Sequence, residues 1–166
     1  NIYSRGFKMK NEMKEAVEKV IVDNSVLVDR EGISNLYASV LKIAGFGLGG
    51  ILYTAGKKAG NRGAMLLKDS LKIEGRDLIE AMVCAFETGK WGKMEIEECE
   101  GEECKVKVTE NALVKGLEEK KKPVCHPLAG YIAGFFEVAS GGKVQVKEEA
   151  CMGKGDPACI FHVKVE

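Results

Sequence analysis

KVQVKEEACMGKGDPACIFHVKVE, residues 143–166, contains two runs of alternating apolar and polar side chains, 144–148 and 158–165, separated by the Gly/Pro-containing loop 151–157. A period of two is what a strand with one buried face requires. Val144, Val146 and Glu148 then share one face of the first strand, and Cys159, Phe161, Val163 and Val165 share one face of the second. A carboxylate thus continues an apolar row. Taking an ionised carboxylate out of water without a partner costs several kcal/mol, so this register calls for a compensating cation beside Glu148.

Upstream, Leu128, Tyr131, Ile132, Phe135 and Val138 recur at three and four, which predicts a helix over 127–138 with Pro127 in its first turn and Gly141-Gly142 at its end. Before it lies the charged stretch GLEEKKKP, 116–123. Met94, Ile96, Val106 and Val108 alternate with charges around Glu100-Gly101-Glu102 and read as a β-hairpin. Residues 76–88 carry Leu78, Met82, Ala85 and Phe86 at helical spacing, closed by Gly89. Between 33 and 67 runs an apolar, Gly-laced helical region with Leu36, Val40, Ile43, Gly47 and Ile51 on one face, and Gly45, Gly49, Gly56 and Gly60 suit helices at close approach. The segment 9–22 reads as an amphipathic helix that frays into a strand near 26–28. Helices and strands that follow one another in blocks predict an α+β fold, with helices packed on a four-stranded antiparallel sheet in a single domain.

The 166 residues are 45% apolar, and 25 Lys+Arg balance 25 Asp+Glu. At this length a core forms without help from disulfides or metals, so any metal needs its own explanation. Neutral net charge and lysines interleaved with glutamates argue against nucleic acid as a partner. No apolar run reaches the ~20 residues of a membrane span, and no cleavable leader is evident, so a cytoplasmic location is expected. The chain starts at Asn1 without Met and reads as a fragment or a renumbered sequence.

Cys125 sits just before the 127–138 helix, Cys151 in the loop between the last strands, and Cys159 at the start of the final strand. A helix N-terminus favours a thiolate, the form that binds a divalent ion. Three Cys and one Glu make a closed four-coordinate set suited to Zn²⁺. The spacing alone leaves open a second reading, three buried inert cysteines and a Glu at a frayed strand end. His126 competes with Glu148 as the fourth ligand, but neighbours in sequence point apart, which favours Glu148. His162 has the opposite parity to Phe161 and faces solvent.

Cys125-His126 with GYIAGFFE, followed by EEACMGKGDPACIFHV, resembles the vinyl-4-reductase domain family, which is related in fold to small subunits of the transport-particle tethering complex. The resemblance is specific over 124–163 and looser back to about residue 32; it divides the chain into a segment 1–30 of uncertain assignment and a ligand-binding domain 31–166. In aromatic-sensing regulators of this family zinc is held by Cys, Glu, Cys and Cys. The resemblance places these on Cys125, Glu148, Cys151 and Cys159, a zinc site near the C-terminal strands.

Other signals are weaker. Residues 45–50, GFGLGG, spell GxGxxG with Asp69 downstream, but a helical period precedes them where a nucleotide fold needs a strand. Cys99 and Cys104 flank the hairpin turn among acidic residues; a second metal or a cross-strand disulfide is possible there, and a solvated acidic hairpin is the preferred reading. Cys84 reads as core. No Ser-His-Asp set, P-loop or HExxH is present, and a zinc with four protein ligands keeps no open position, so a structural role for zinc is expected over a catalytic one.

Three functions remain in view. The first is a zinc-containing module that binds or senses a small hydrophobic or aromatic molecule, with Phe86, Trp91, Tyr131 and Phe135 as candidate pocket residues, against a reading in which they only pack the core. The resemblance supports it, since relatives sense phenolic compounds. The second is the vinyl-tetrapyrrole reductase of the family name, for which no hydride or electron source is visible. The third is a homodimeric interaction scaffold, as the tethering-complex relatives suggest. With no DNA-binding or ATPase segment in the sequence, a sensing role would act on a separate partner.

Overall fold

A computed structural model describes residues 9–44 and 47–166. The chain runs α1 (Asn11–Asp23), α2 (Arg30–Ala44), α3 (Gly49–Leu71), α4 (Gly75–Thr88), β1 (Lys93–Glu100), β2 (Glu103–Thr109), α5 (His126–Ser140), β3 (Val144–Ala150) and β4 (Cys159–Val165). The strands form one antiparallel sheet in the order β1-β2-β4-β3, so the last strand of the chain is inserted beside the hairpin. Its alternation has the expected consequence: Cys159, Phe161 and Val163 are fully buried, while Ile160, His162 and Lys164 stand on the other face. Glu148 is registered opposite Phe161, which puts the carboxylate on the buried side of β3.

The helices cover that buried face and complete a single domain. Leu128, Ile132, Phe135 and Phe136 of α5 pack over the sheet with Met94, Val106 and Val108 of the hairpin. α3 then lies on α5 so closely that side chains are excluded from the seam. A Cβ on Gly56 would overlap the Pro127 carbonyl and one on Gly60 the Tyr131 carbonyl, while Gly130 and Gly134 of α5 meet the Tyr53 and Lys57 carbonyls in return. α1 packs on α4 through the fully buried Val17. Among the described residues no helix is long and apolar enough to cross a membrane.

The structure departs from the expectations at three places. Residues 26–28 form no strand; they link α1 to α2, with Val26 86% and Leu27 103% exposed. The 33–67 region is helical as expected, in α2 and α3, but its apolar face is not buried. Leu36 and Ile43 of α2 and Ile51 of α3 point outward, at 61%, 88% and 63% exposure, because α2 is turned by other residues: Ser34 Oγ donates to the Lys115 carbonyl at 2.6 Å, and the Tyr37 hydroxyl donates to the Val124 carbonyl. Gly45 lies outside the described residues. Cys99 and Cys104 are joined in a disulfide, since they face each other across the β1–β2 register with Cα atoms 4.1 Å apart.

Candidate functional site

Four separate elements bring Cys125, Glu148, Cys151 and Cys159 together. Cys125 occupies the position before α5, Glu148 the inner face of β3, Cys151 the residue ahead of a single 3-10 turn (Met152–Lys154), and Cys159 the first residue of β4. Their ligand atoms all lie within 4.8 Å of one another. Cys125 Sγ is 3.7 Å from Cys151 Sγ and 3.6 Å from Cys159 Sγ. A tetrahedral ion with Zn–S bonds of ~2.3 Å has sulfur–sulfur edges of about 3.8 Å, so the two edges that meet at Cys125 are already spaced as a metal would space them.

Hydrogen bonds around the cluster serve anionic sulfur and an oriented carboxylate. Asn111, 1% exposed, directs its side-chain amide at Cys125 Sγ (3.4 Å) and Cys159 Sγ (3.6 Å), and the Met152 N–H donates to Cys159 Sγ at 3.3 Å. The Cys125 N–H donates to Glu148 Oε2 at 2.9 Å. Glu148 Oε1 is buried and has no hydrogen-bond partner. A buried oxygen left unpaired beside three sulfurs is the lone pair a cation would take.

Without a cation the cluster cannot hold four negative charges. Burial pushes the Glu148 carboxyl up to about 8, and hydrogen bonds to Cys151 and Cys159, with burial, push the Cys125 thiol far above the ordinary range. Cys159 rises to about 12, while Cys151 is pulled down because Cys125 and Cys159 both donate to it. The metal-free cluster therefore concentrates its negative charge on Cys151. The donor set is soft, closed and mutually in range, and it could hold one divalent ion. Asn111 carries no signal of its own in the sequence; only the fold shows that it faces two cysteines.

The remaining candidates fall elsewhere. The His126 ring lies against Gly49 at the start of α3, outside the cluster. His162 is on the outer face of β4, 3.3 Å from Glu103. Phe86, Tyr131 and Phe135 form a tilted aromatic seam, with ring centroids 6.5 Å and 5.0 Å apart for successive pairs, and Trp91 is 38% exposed at the α4–β1 junction.

None of these four aromatics lines a cavity of about 1160 Å³ beside the cluster. Its walls are Leu41 of α2, Gly47–Gly50, Leu52 and Tyr53 at the start of α3, the 119–124 segment, His126 and Ala129 of α5, and Val146 to Glu148 of β3. Cavity and cluster share a wall: Val124, Glu148 and His126 border the space, and Cys125 lies between two of them in sequence.

The family model of the vinyl-4-reductase domain matches residues 104–165. An uncharacterized protein of Methanocaldococcus jannaschii is 30% identical over 123 residues, 74% of this chain and 68% of that protein. The chain belongs to the vinyl-4-reductase domain family. A second uncharacterized M. jannaschii protein is 33% identical over 61 residues, 37% of this vinyl-4-reductase-domain chain and 38% of its own length. Solved structures share the fold. The phenol-responsive sensory domain of the transcription activator PoxR, with phenol, superposes with a TM-score of 0.74 at 16% identity, over 95% of this chain and 92% of that one. A vinyl-4-reductase family protein from M. jannaschii gives 0.63 at 23% identity, over 98% and 99%. Subunit 3 of the trafficking protein particle complex from Naegleria fowleri, covalently bound to palmitic acid, gives 0.62 at 18% identity, over 92% and 96%.

Proposed function

We propose that this chain is a zinc-containing domain that binds or senses a small hydrophobic or aromatic molecule in the cavity between α2, α3, α5 and β3. The observation that carries the reading is the shared wall: an apolar space of drug-sized volume or more adjoins a closed Cys₃Glu cluster. The fold relatives solved with phenol and with palmitic acid support a ligand of low polarity. The zinc takes Cys125, Glu148, Cys151 and Cys159, and when bound it supplies charge compensation and a four-way cross-link, not an open coordination position. This chain's own residues carry the consequence. Tyr37 fastens α2 to the Val124 carbonyl, and the next N–H, that of Cys125, is held by Glu148. A ligand that displaces Val124 therefore acts on both the α2 anchor and a metal ligand.

A calorimetric and thermal-shift screen of phenols and hydrocarbons tests the reading. Saturable binding that Leu52→Trp abolishes, with the fold intact, is the expected result; neither heat nor shift at millimolar concentration rejects it. Elemental analysis of the purified protein is expected to find about one zinc per chain, lost in Cys151→Ser and Glu148→Gln. Full retention in Glu148→Gln rejects the Cys₃Glu set.

The outward row of Leu36, Ile43 and Ile51 favours a second feature, a homodimer that covers it.

A further inference from the structure

Charge around the cavity is not distributed as it is around the chain. Lysines and arginines equal aspartates and glutamates overall, 25 to 25, yet four lysines, Lys42, Lys120, Lys121 and Lys122, border this one space; Lys147 of β3 borders it too, but its side chain is on the outer face of the sheet, opposite His162. Two carboxylates border it as well, Glu119 and Glu148, and Glu148 is engaged with the Cys125 N–H. Some lysines away from the cavity are neutralised locally, as Lys57 is by Glu137 at 2.6 Å and Lys93 by Glu110 at 2.6 Å. Among the described residues Lys42, Lys120 and Lys121 have no carboxylate within ion-pair distance. Lys120, Lys121 and Lys122 come from the 119–122 loop and Lys42 comes from α2, so two separate segments supply the cations. Behind them the walls are apolar, with Leu48, Leu52 and Val146. Like charges gathered at a low-dielectric concavity raise the local concentration of anions.

We infer that the ligand is an amphipathic anion, an apolar body seated against the cavity wall with a carboxylate or phosphate head among the lysines. The inference rests on the small-molecule reading above and narrows it to a ligand class. An apolar wall alone would accept a neutral phenol or alkane equally well; the lysine rim would then be an idle cost in self-repulsion.

Calorimetry on the zinc-loaded chain with octanoate, octyl phosphate and octanol, each below its micelle concentration, separates the possibilities. The expected result is that at least one anion binds tenfold or more tighter than octanol, and that this preference, but not octanol binding, shrinks between 50 mM and 500 mM salt. Whichever anion is tighter names the head group. Combining Lys42→Gln, Lys120→Gln and Lys121→Gln is expected to erase the preference while octanol binding, the check on folding, stays within twofold. Octanol binding as tightly as both anions overturns the inference and leaves the small-molecule reading standing; no binding by any of the three overturns both. The lysines could instead balance the charge of three thiolates and a carboxylate around a divalent ion. In that case the triple variant loses zinc and keeps its head-group preference, and the inference fails.

Discussion

Glu148 does two jobs with its two oxygens: Oε2 takes the Cys125 N–H, and Oε1 is left buried for a cation. Its ionisation provides a direct check on that arrangement. At pH 7 the metal-free cluster holds protons on Cys125, on Cys159 and on most Glu148 carboxyls, because all three are raised, whereas Cys151 is already a thiolate. Zinc binding at pH 7 is therefore expected to release about three protons. At pH 9, above the value of about 8 for Glu148, the carboxyl is ionised before the metal arrives and release is expected to fall to about two. Titration calorimetry in buffers of different ionisation heat reads the count. A carboxyl with an ordinary value would be ionised at both pH values and would leave the number unchanged between them.

The α3–α5 seam is the element pair that brings the cavity floor and the cluster into one frame. α5 carries Cys125 at its N-terminal end, and the first turns of α3 line the cavity, so their separation sets both. Gly56 and Gly60 let the two backbones touch, and a side chain at either position meets a carbonyl that cannot rotate away. Gly56→Ala is expected to destabilise the fold by about 3 kcal/mol, the upper end of overpacking costs, in spite of alanine's better helix propensity. Gly50→Ala, where a Cβ meets nothing within 4 Å, is expected to be neutral or slightly stabilising. Chemical denaturation of the two variants side by side checks the contrast. Equal losses would mean that α3 is destabilised by its composition and not by contact with α5.

For the molecule as a whole the open question is what covers the outward apolar row. Leu36, Ile43 and Ile51 are 61%, 88% and 63% exposed, and the linker residue Leu27 is fully exposed. If a second copy covers them, sedimentation at micromolar concentration is expected to show a dimer that Leu36→Glu with Ile43→Glu converts to monomer; a monomer at every concentration tested refutes the homodimer. The strands, the α+β class and the inward face of Glu148 were legible in the chain because periodicity is a local property: Val144, Val146 and Glu148 share a face in any strand, and a carboxylate in an apolar row signals a partner; that Cys125, Cys151 and Cys159 join it was implied by the family resemblance and not by periodicity. The outward turn of α2 was not legible, since Leu36 and Ile43 match a buried helical face as well as Ser34 and Tyr37 do. Only the carbonyls of Lys115 and Val124, some 80 residues away in the chain, choose between them. Likewise Asn111 and the lysine-rimmed cavity exist through distant segments meeting, while Phe86, Tyr131 and Phe135 became a core seam because α5 lies across α4. Face and periodicity follow from covalent geometry within one segment. Which faces meet follows from the burial and hydrogen bonding of the whole chain at once.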